Sequence, residues 1–206
     1  MTDQTAAEYW ENRYRANGRS WSGNVNVALE REVAGVAPGS ALDLGSGEGG
    51  DGLWLARHGW SVTAIDIAPS ALAIGQAAQQ PDDDITWIAA DLAEWHPSTQ
   101  YDLVSACFLH SYVELPREAI LRRAAAAVAP GGLLVIVGHS GTPHWHEPSA
   151  HDETVDLPTP DEVLASLALD DSWTVLTKAL IERPVVSPDG SPGSITDAVL
   201  TLRRGR

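Results

Sequence analysis

Three carboxylates stand at intervals where a chain of alternating strands and helices would present them to one ligand. Asp43 lies in Ala41-Leu42-Asp43-Leu44, Asp66 ends Val62-Thr63-Ala64-Ile65-Asp66, and Asp91 ends Ile88-Ala89-Ala90-Asp91. After the first comes Gly45-Ser46-Gly47-Glu48-Gly49-Gly50. Glycine removes Cβ and permits φ > 0, so such a turn can bring bare peptide groups against a ligand at the start of a helix. A carboxylate two residues before the first glycine is awkward beside a pyrophosphate and suits a ligand with positive charge. A second register stays open: Gly45, Gly47 and Gly50 also satisfy G-x-G-x-x-G, and Asp66 falls about 20 residues on, where a dinucleotide fold holds its ribose. Spacing alone therefore also admits an NAD-dependent oxidoreductase.

A further set of side chains has acid–base or binding chemistry. His110 follows a strand-like run, and an imidazole with an unperturbed pKa near 6.5 can take a proton at neutral pH; it is the candidate catalytic residue, with hydrogen bonding to the backbone as the competing use. Tyr112 and Glu114 lie behind it. His139, His144, His146 and His151 cluster in sequence, and imidazole is a common metal ligand. No helical H-x-x-x-H and no paired cysteine supports a metal, so the expectation is an acceptor-binding loop with no metal, in which Trp145 supplies an apolar face. Trp21, Tyr112, His139, His144 and Trp145 are the expected substrate contacts.

The elements that would carry these groups alternate from Ala41 onward. Strands are expected over Ala41–Leu44, Ser61–Asp66, Ile85–Ala90, Asp102–Phe108 and Leu133–Gly138, with helices over Gly50–His58, Ser70–Gln79 and Arg117–Val128. Pro69-Ser70 opens a helix, and Ala129-Pro130-Gly131-Gly132 stops one and turns the chain into the fifth strand. Parallel strands need crossovers, so the pattern predicts a doubly wound parallel sheet with helices on both faces. After a helix over Asp161–Ala168, two β-rich runs, Trp173–Arg183 and Ala198–Arg203, are separated by the turn-rich Ser187–Gly193. They predict an antiparallel hairpin at the sheet edge. Ahead of the core, Thr5–Asn17 and Val27–Val36 read as helices, the first with an aromatic stripe of Tyr9, Trp10 and Tyr14.

At these residues the sequence resembles the class I S-adenosylmethionine-dependent methyltransferases, small-molecule type, similar to the tellurite-resistance and thiopurine group; Trp10 to Tyr14 matches a Trp-x-x-x-Tyr start. The resemblance covers roughly residues 9–139. It implies an α/β, Rossmann-like, mostly parallel seven-stranded sheet and S-adenosyl-L-methionine as cofactor. It places Asp43 near the methionine moiety, Gly45, Ser46, Gly47 and Gly49 under the cofactor, Asp66 on the ribose hydroxyls and Asp91 on the adenine amine. Ile67 and Leu92 are candidates to sandwich the base, plain core being the alternative, and Phe108 completes the implied cofactor contacts. It implies a lid over 1–38, a cofactor core over 39–139, and a substrate loop and hairpin over 140–206, within one domain.

Composition narrows the partners. At 206 residues the chain has the size of one domain. A formal net charge of −15 repels polyanions, which argues against nucleic acid and anionic membranes and for a small-molecule acceptor. No apolar run approaches a membrane span, and the N-terminus lacks a basic segment followed by an apolar one, so the expected location is cytoplasmic. The single Cys107 excludes an internal disulfide framework. Oligomeric state is not legible. The reading is thus a methyltransferase, with an oxidoreductase or a non-catalytic cofactor-binding module as the alternatives.

Overall fold

Strand-forming runs become β1 (Ser40–Leu44), β2 (Ser61–Asp66), β3 (Ile85–Ala89), β4 (Tyr101–Cys107), β5 (Val128–His139), β6 (Trp173–Val186) and β7 (Pro192–Arg204). In the computed structural model, which describes residues 4–141, 157–187 and 190–206, they form one sheet of order β3-β2-β1-β4-β5-β7-β6. Strands β1 to β5 pair in parallel and β7 runs antiparallel to both β5 and β6. The sheet is therefore mostly parallel, with an antiparallel pair at its C-terminal edge, as the alternation of elements predicts.

The helices are α1 (Ala6–Asn17), α2 (Val27–Glu32), α3 (Gly50–Arg57), α4 (Pro69–Ala78), α5 (Arg117–Ala126) and α6 (Pro160–Leu167). Leu133 to Val137 is apolar without alternation because that strand is buried on both faces. Leu134 and Ile136 join Leu121, Val163 and Leu167 under α5 and α6. Val135 and Val137 face the other way and pack with Leu29 and Leu55 of α2 and α3. Among the described residues, no helix is long and apolar enough to cross a membrane.

Three boundaries differ from the sequence expectation, two of them for local causes. Ala129–Gly132 does not separate α5 from β5; it lies inside β5 as an irregularity, Tyr101 pairing with Val128 and Leu103 with Leu133. Gly132 is required there, since a Cβ would lie 2.8 Å from the Asp102 carbonyl oxygen. The terminal hairpin is also longer than expected, because pairing continues through Val186 and Pro192 and turn chemistry occupies only the few residues between them. Helix α2 ends at Glu32 rather than Val36.

The N-terminal segment is fastened across the carboxyl ends of the strands. Thr5 and Glu8 form a capping box on α1, and Glu11 accepts hydrogen bonds from the Ser70 amide at 3.0 Å and hydroxyl at 2.6 Å, tying α1 to α4. Trp10 Nε1 donates to Ser111 Oγ at 3.2 Å. Asn26 caps α2 through the Ala28 and Leu29 amides.

Candidate active site

At the end of β1 the chain turns sharply because the Gly45 and Ser46 amides both donate to the Ile65 carbonyl at 2.9 Å. Gly47 then adopts φ 52°, which only glycine takes without strain, and aims its amide at Asp66 Oδ2, 2.8 Å away. The other Asp66 oxygen accepts from the Ala68 amide at 2.9 Å. Two adjacent elements are thus locked through one carboxylate. Burial raises the pKa of Asp66 while these amides oppose the shift.

Asp43 is 2% exposed. Its Oδ1 accepts from Ser105 Oγ at 3.1 Å, while Oδ2 is buried beside the Gly52 amide without a well-formed hydrogen bond. Burial, with the Asp51 carboxylate next in weight, pushes it up to about 8. Asp51, at the start of α3, accepts the Asn26 amide at 2.6 Å and is likewise raised by burial. Burial pushes the Cys107 thiol up as well. A buried carboxylate oxygen without a well-formed hydrogen bond is costly in isolation, and the raised pKa is how the folded chain meets that cost.

A cavity of about 670 Å³ lies over these groups. Its floor includes Asp43, Gly45, Ser46, Gly47, Asp66 and Ile67, and Asp91 and Leu92 stand beside it. Leu92 is also part of the core under α5, so packing and lining coincide there. Asp91 is exposed and accepts the Ala93 amide at 2.8 Å. Gly49 is placed elsewhere: a Cβ on it would lie 2.3 Å from the Trp87 ring, and it is absent from the lining. Its missing side chain makes room for an indole.

The roof contains residues that sequence reasoning passed over. Glu48, 3% exposed, accepts the backbone amides of Ser20 and of Trp21, and Asp51 holds Asn26. Together they staple the 20–26 segment onto the glycine turn. Tyr14, part of the aromatic stripe of α1, is buried, lines the cavity and accepts from Trp21 Nε1 at 3.3 Å. Burial, ahead of the Asp66 charge, pushes its phenol up to about 12, so it stays neutral. The signal for Glu48 and Asp51 was present, as both lie inside or just after the glycine run.

The far wall comes from the ends of β4, β5 and β6. Phe108 has φ 53°, a left-handed conformation uncommon for an aromatic residue. Its ring stacks on His139 at 4.2 Å and lies under the Arg183 guanidinium at 5.9 Å. His110 lines the cavity, and its Nε2 accepts the His139 backbone amide at 3.3 Å. Tyr112 and Trp21 stand at the rim, 39% and 55% exposed. Behind the wall Asp197, 3% exposed, takes Arg183 Nε at 2.5 Å and faces His139 Nδ1 at 3.8 Å. Arg183 and Asp197 carried no sequence signal, because the hairpin register decides that they meet.

His144 and Trp145 lie outside the described residues, as do His146 and His151. Among the described residues, no group of three or more His, Cys, Asp and Glu is arranged to hold a metal ion.

Comparison with known proteins is consistent with this geometry. Residues 41–132 match the family model described as a methyltransferase domain. The 2-heptyl-1-hydroxyquinolin-4(1H)-one methyltransferase of Mycobacteroides abscessus is 31% identical over 110 residues, 50% of this chain and 47% of the relative. The chain spans about half the length, or less, of the curated relatives it matches. Among solved structures, the N-methyltransferase NodS from Bradyrhizobium japonicum in complex with S-adenosyl-L-homocysteine superposes with a TM-score of 0.67 at 18% identity, covering 98% of this chain and 100% of NodS. TehB from Haemophilus influenzae gives 0.66 at 16% identity, covering 96% and 67%. These two likenesses carry the fold. Residues 41–132 therefore resemble a methyltransferase domain, and the fold as a whole is that of NodS and TehB.

Proposed function

We propose that the chain transfers a methyl group from S-adenosyl-L-methionine to a small-molecule acceptor. The observation that carries this reading is the cavity floor, where Asp43 has a buried Oδ2 without a well-formed hydrogen bond and Asp51 and Asp66 stand nearby over a turn of bare peptide. An ammonium and a sulfonium favour the ionised form of these carboxyls and fit that surface, whereas the diphosphate of a dinucleotide would oppose their ionisation. The Asp66 carboxylate would hold ribose hydroxyls, Asp91 the adenine amine, and Ile67 and Leu92 the faces of the base. The donor supplies an activated methyl group; the protein aligns, desolvates and, for a protic acceptor, takes a proton.

The acceptor would occupy the wall of Phe108, Tyr112, His139 and Trp21, a largely aromatic surface suited to a flat molecule. The M. abscessus relative is named for a hydroxylated quinolinone, a molecule of that shape. His110 is better suited to positioning this wall than to deprotonation, because its Nε2 already accepts the His139 amide. The lid role of the N-terminal segment rests on the Glu48, Asp51 and Tyr14 contacts. The same reading makes nucleic acid an unfavourable partner, given the net charge of −15, and puts the reaction in the cytoplasm.

Isothermal titration with S-adenosylhomocysteine, repeated on Asp66→Ala, tests the reading. Heat from the intact protein and a large loss in the variant are expected. No heat, together with tight binding of a reduced nicotinamide cofactor followed by fluorescence, would overturn it.

A further inference from the structure

His139 and Asp197 are cross-strand partners in the β5–β7 ladder, so the sheet itself fixes their separation. His139 Nδ1 and Asp197 Oδ1 are each buried without a hydrogen-bond partner, and they face one another at 3.8 Å. Asp197 has its other oxygen on Arg183, and Phe108 stacked on the imidazole restricts the ring to one plane. With Nδ1 turned to the carboxylate, Nε2 is the nitrogen left for the cavity that His139 lines.

We propose that His139, oriented by Asp197, is the proton acceptor of this site, and that the acceptor is accordingly a molecule whose attacking atom carries a proton, an aromatic or enolic hydroxyl. The inference rests on the methyl-transfer reading. A phenol-like hydroxyl has a pKa near 10 and an imidazole near 6.5, a gap that a positioned base bridges, whereas an aliphatic alcohol lies far beyond it. In the balanced step, the O–H proton goes to His139 Nε2, the oxygen lone pair forms the new bond to the methyl carbon, and the C–S electron pair stays on sulfur as a neutral thioether. The imidazolium then returns its proton to water. Around the ring the charged and titratable groups are Asp197 on β7, Arg183 on β6, Cys107 at the end of β4, His110 on the loop after it, and Arg117 on α5, whose guanidinium lies near Gly138. Asp197 is a positioning residue and His139 the catalytic one.

The test is nitrogen-15 NMR of the histidine side chains in the S-adenosylhomocysteine complex, with His139 assigned by its loss in His139→Gln. The expected result is a neutral ring with its hydrogen on Nδ1 and a bare Nε2, and a shift toward the opposite tautomer in Asp197→Val. A ring with its hydrogen on Nε2 in the intact protein would overturn the proposal, and that measurement needs no variant to fold. A panel of a phenol, an N-hydroxyquinolinone and a tertiary amine adds the activity arm. His139→Gln should lower turnover of hydroxyl acceptors by roughly 100-fold or more while leaving S-adenosylhomocysteine affinity within about threefold; equal turnover by variant and parent would also overturn it. Absence of S-adenosylhomocysteine binding in the parent protein, by contrast, sinks the methyl-transfer reading itself.

Discussion

Gly47 gives its amide to Asp66 Oδ2 at 2.8 Å while Ala68 gives its own to Oδ1 at 2.9 Å, so one carboxylate closes both the glycine turn and the start of α4. An amide side chain has only one acceptor oxygen. Asp66→Asn should therefore fail almost as badly as Asp66→Ala, its NH2 opposing one backbone N–H in either orientation. Titration calorimetry with S-adenosylhomocysteine should show affinity reduced by roughly 30- to 100-fold, matching about 2–3 kcal/mol for a buried charged hydrogen-bonding group.

Asp43 predicts an unusual pH dependence of stability. Its pKa is raised to about 8 in the folded chain by burial and by Asp51, against an ordinary value near 3.9 when unfolded. The folded state thus holds this proton more tightly, and the associated stability is fully present below about pH 4 and lost as the pH rises toward 8. Asp43→Asn cannot lose that proton. Melting of the ligand-free proteins should show the variant gaining on the parent between pH 4 and 8, by up to about 1.4 kcal/mol per pH unit. Parallel curves across that range would refute the assignment.

The staple between Glu48 and the Ser20 and Trp21 amides should control closure of the roof. Glu48→Ala leaves two amides without their buried acceptor and should raise hydrogen exchange across residues 20–26. Donor affinity should weaken about 10-fold, in line with about 1.5 kcal/mol for hydrogen bonds to a charged group. Unchanged exchange in that segment would show that the staple is redundant.

Gly49 separates packing from binding. Its φ of 78° and the Trp87 ring, 2.3 Å from where an added methyl would stand, together make Gly49→Ala destabilising by about 2–4 kcal/mol. Adding Trp87→Leu should recover part of this loss and leave the backbone share. Full recovery, read by chemical denaturation, would mean that the backbone conformation carries no strain.

The glycine-turn side of the cavity was legible because its signals are local. Asp43, the glycine run and Asp66 sit in consecutive elements, and the boundaries of β2 (Ser61–Asp66) follow directly from apolar residues bounded by turn formers. Of the far wall, His139, Tyr112 and Trp21 were singled out from sequence, but its assembly was not legible, because Arg183, Asp197 and His139 are far apart in sequence and only the register Val137↔Val199 and His139↔Asp197 unites them. Tyr14 illustrates another limit: an aromatic on an amphipathic helix packs and lines a cavity with the same spacing, and only the fold says that a Cβ on Gly47 would lie 3.0 Å from its hydroxyl.

Strand β7 lies between β5 and β6 although it follows both in the chain. Until its thirteen residues are in place, β6 has no ladder to join, so the placement of β6 depends on that of β7. Cutting the chain after Val186 would consequently orphan β6 as well as remove Asp197, and the same docking event that completes the sheet delivers Arg183 and Asp197 to His139. A half-folded intermediate without the hairpin would keep the cavity floor and His139 yet lack the carboxylate that faces its Nδ1.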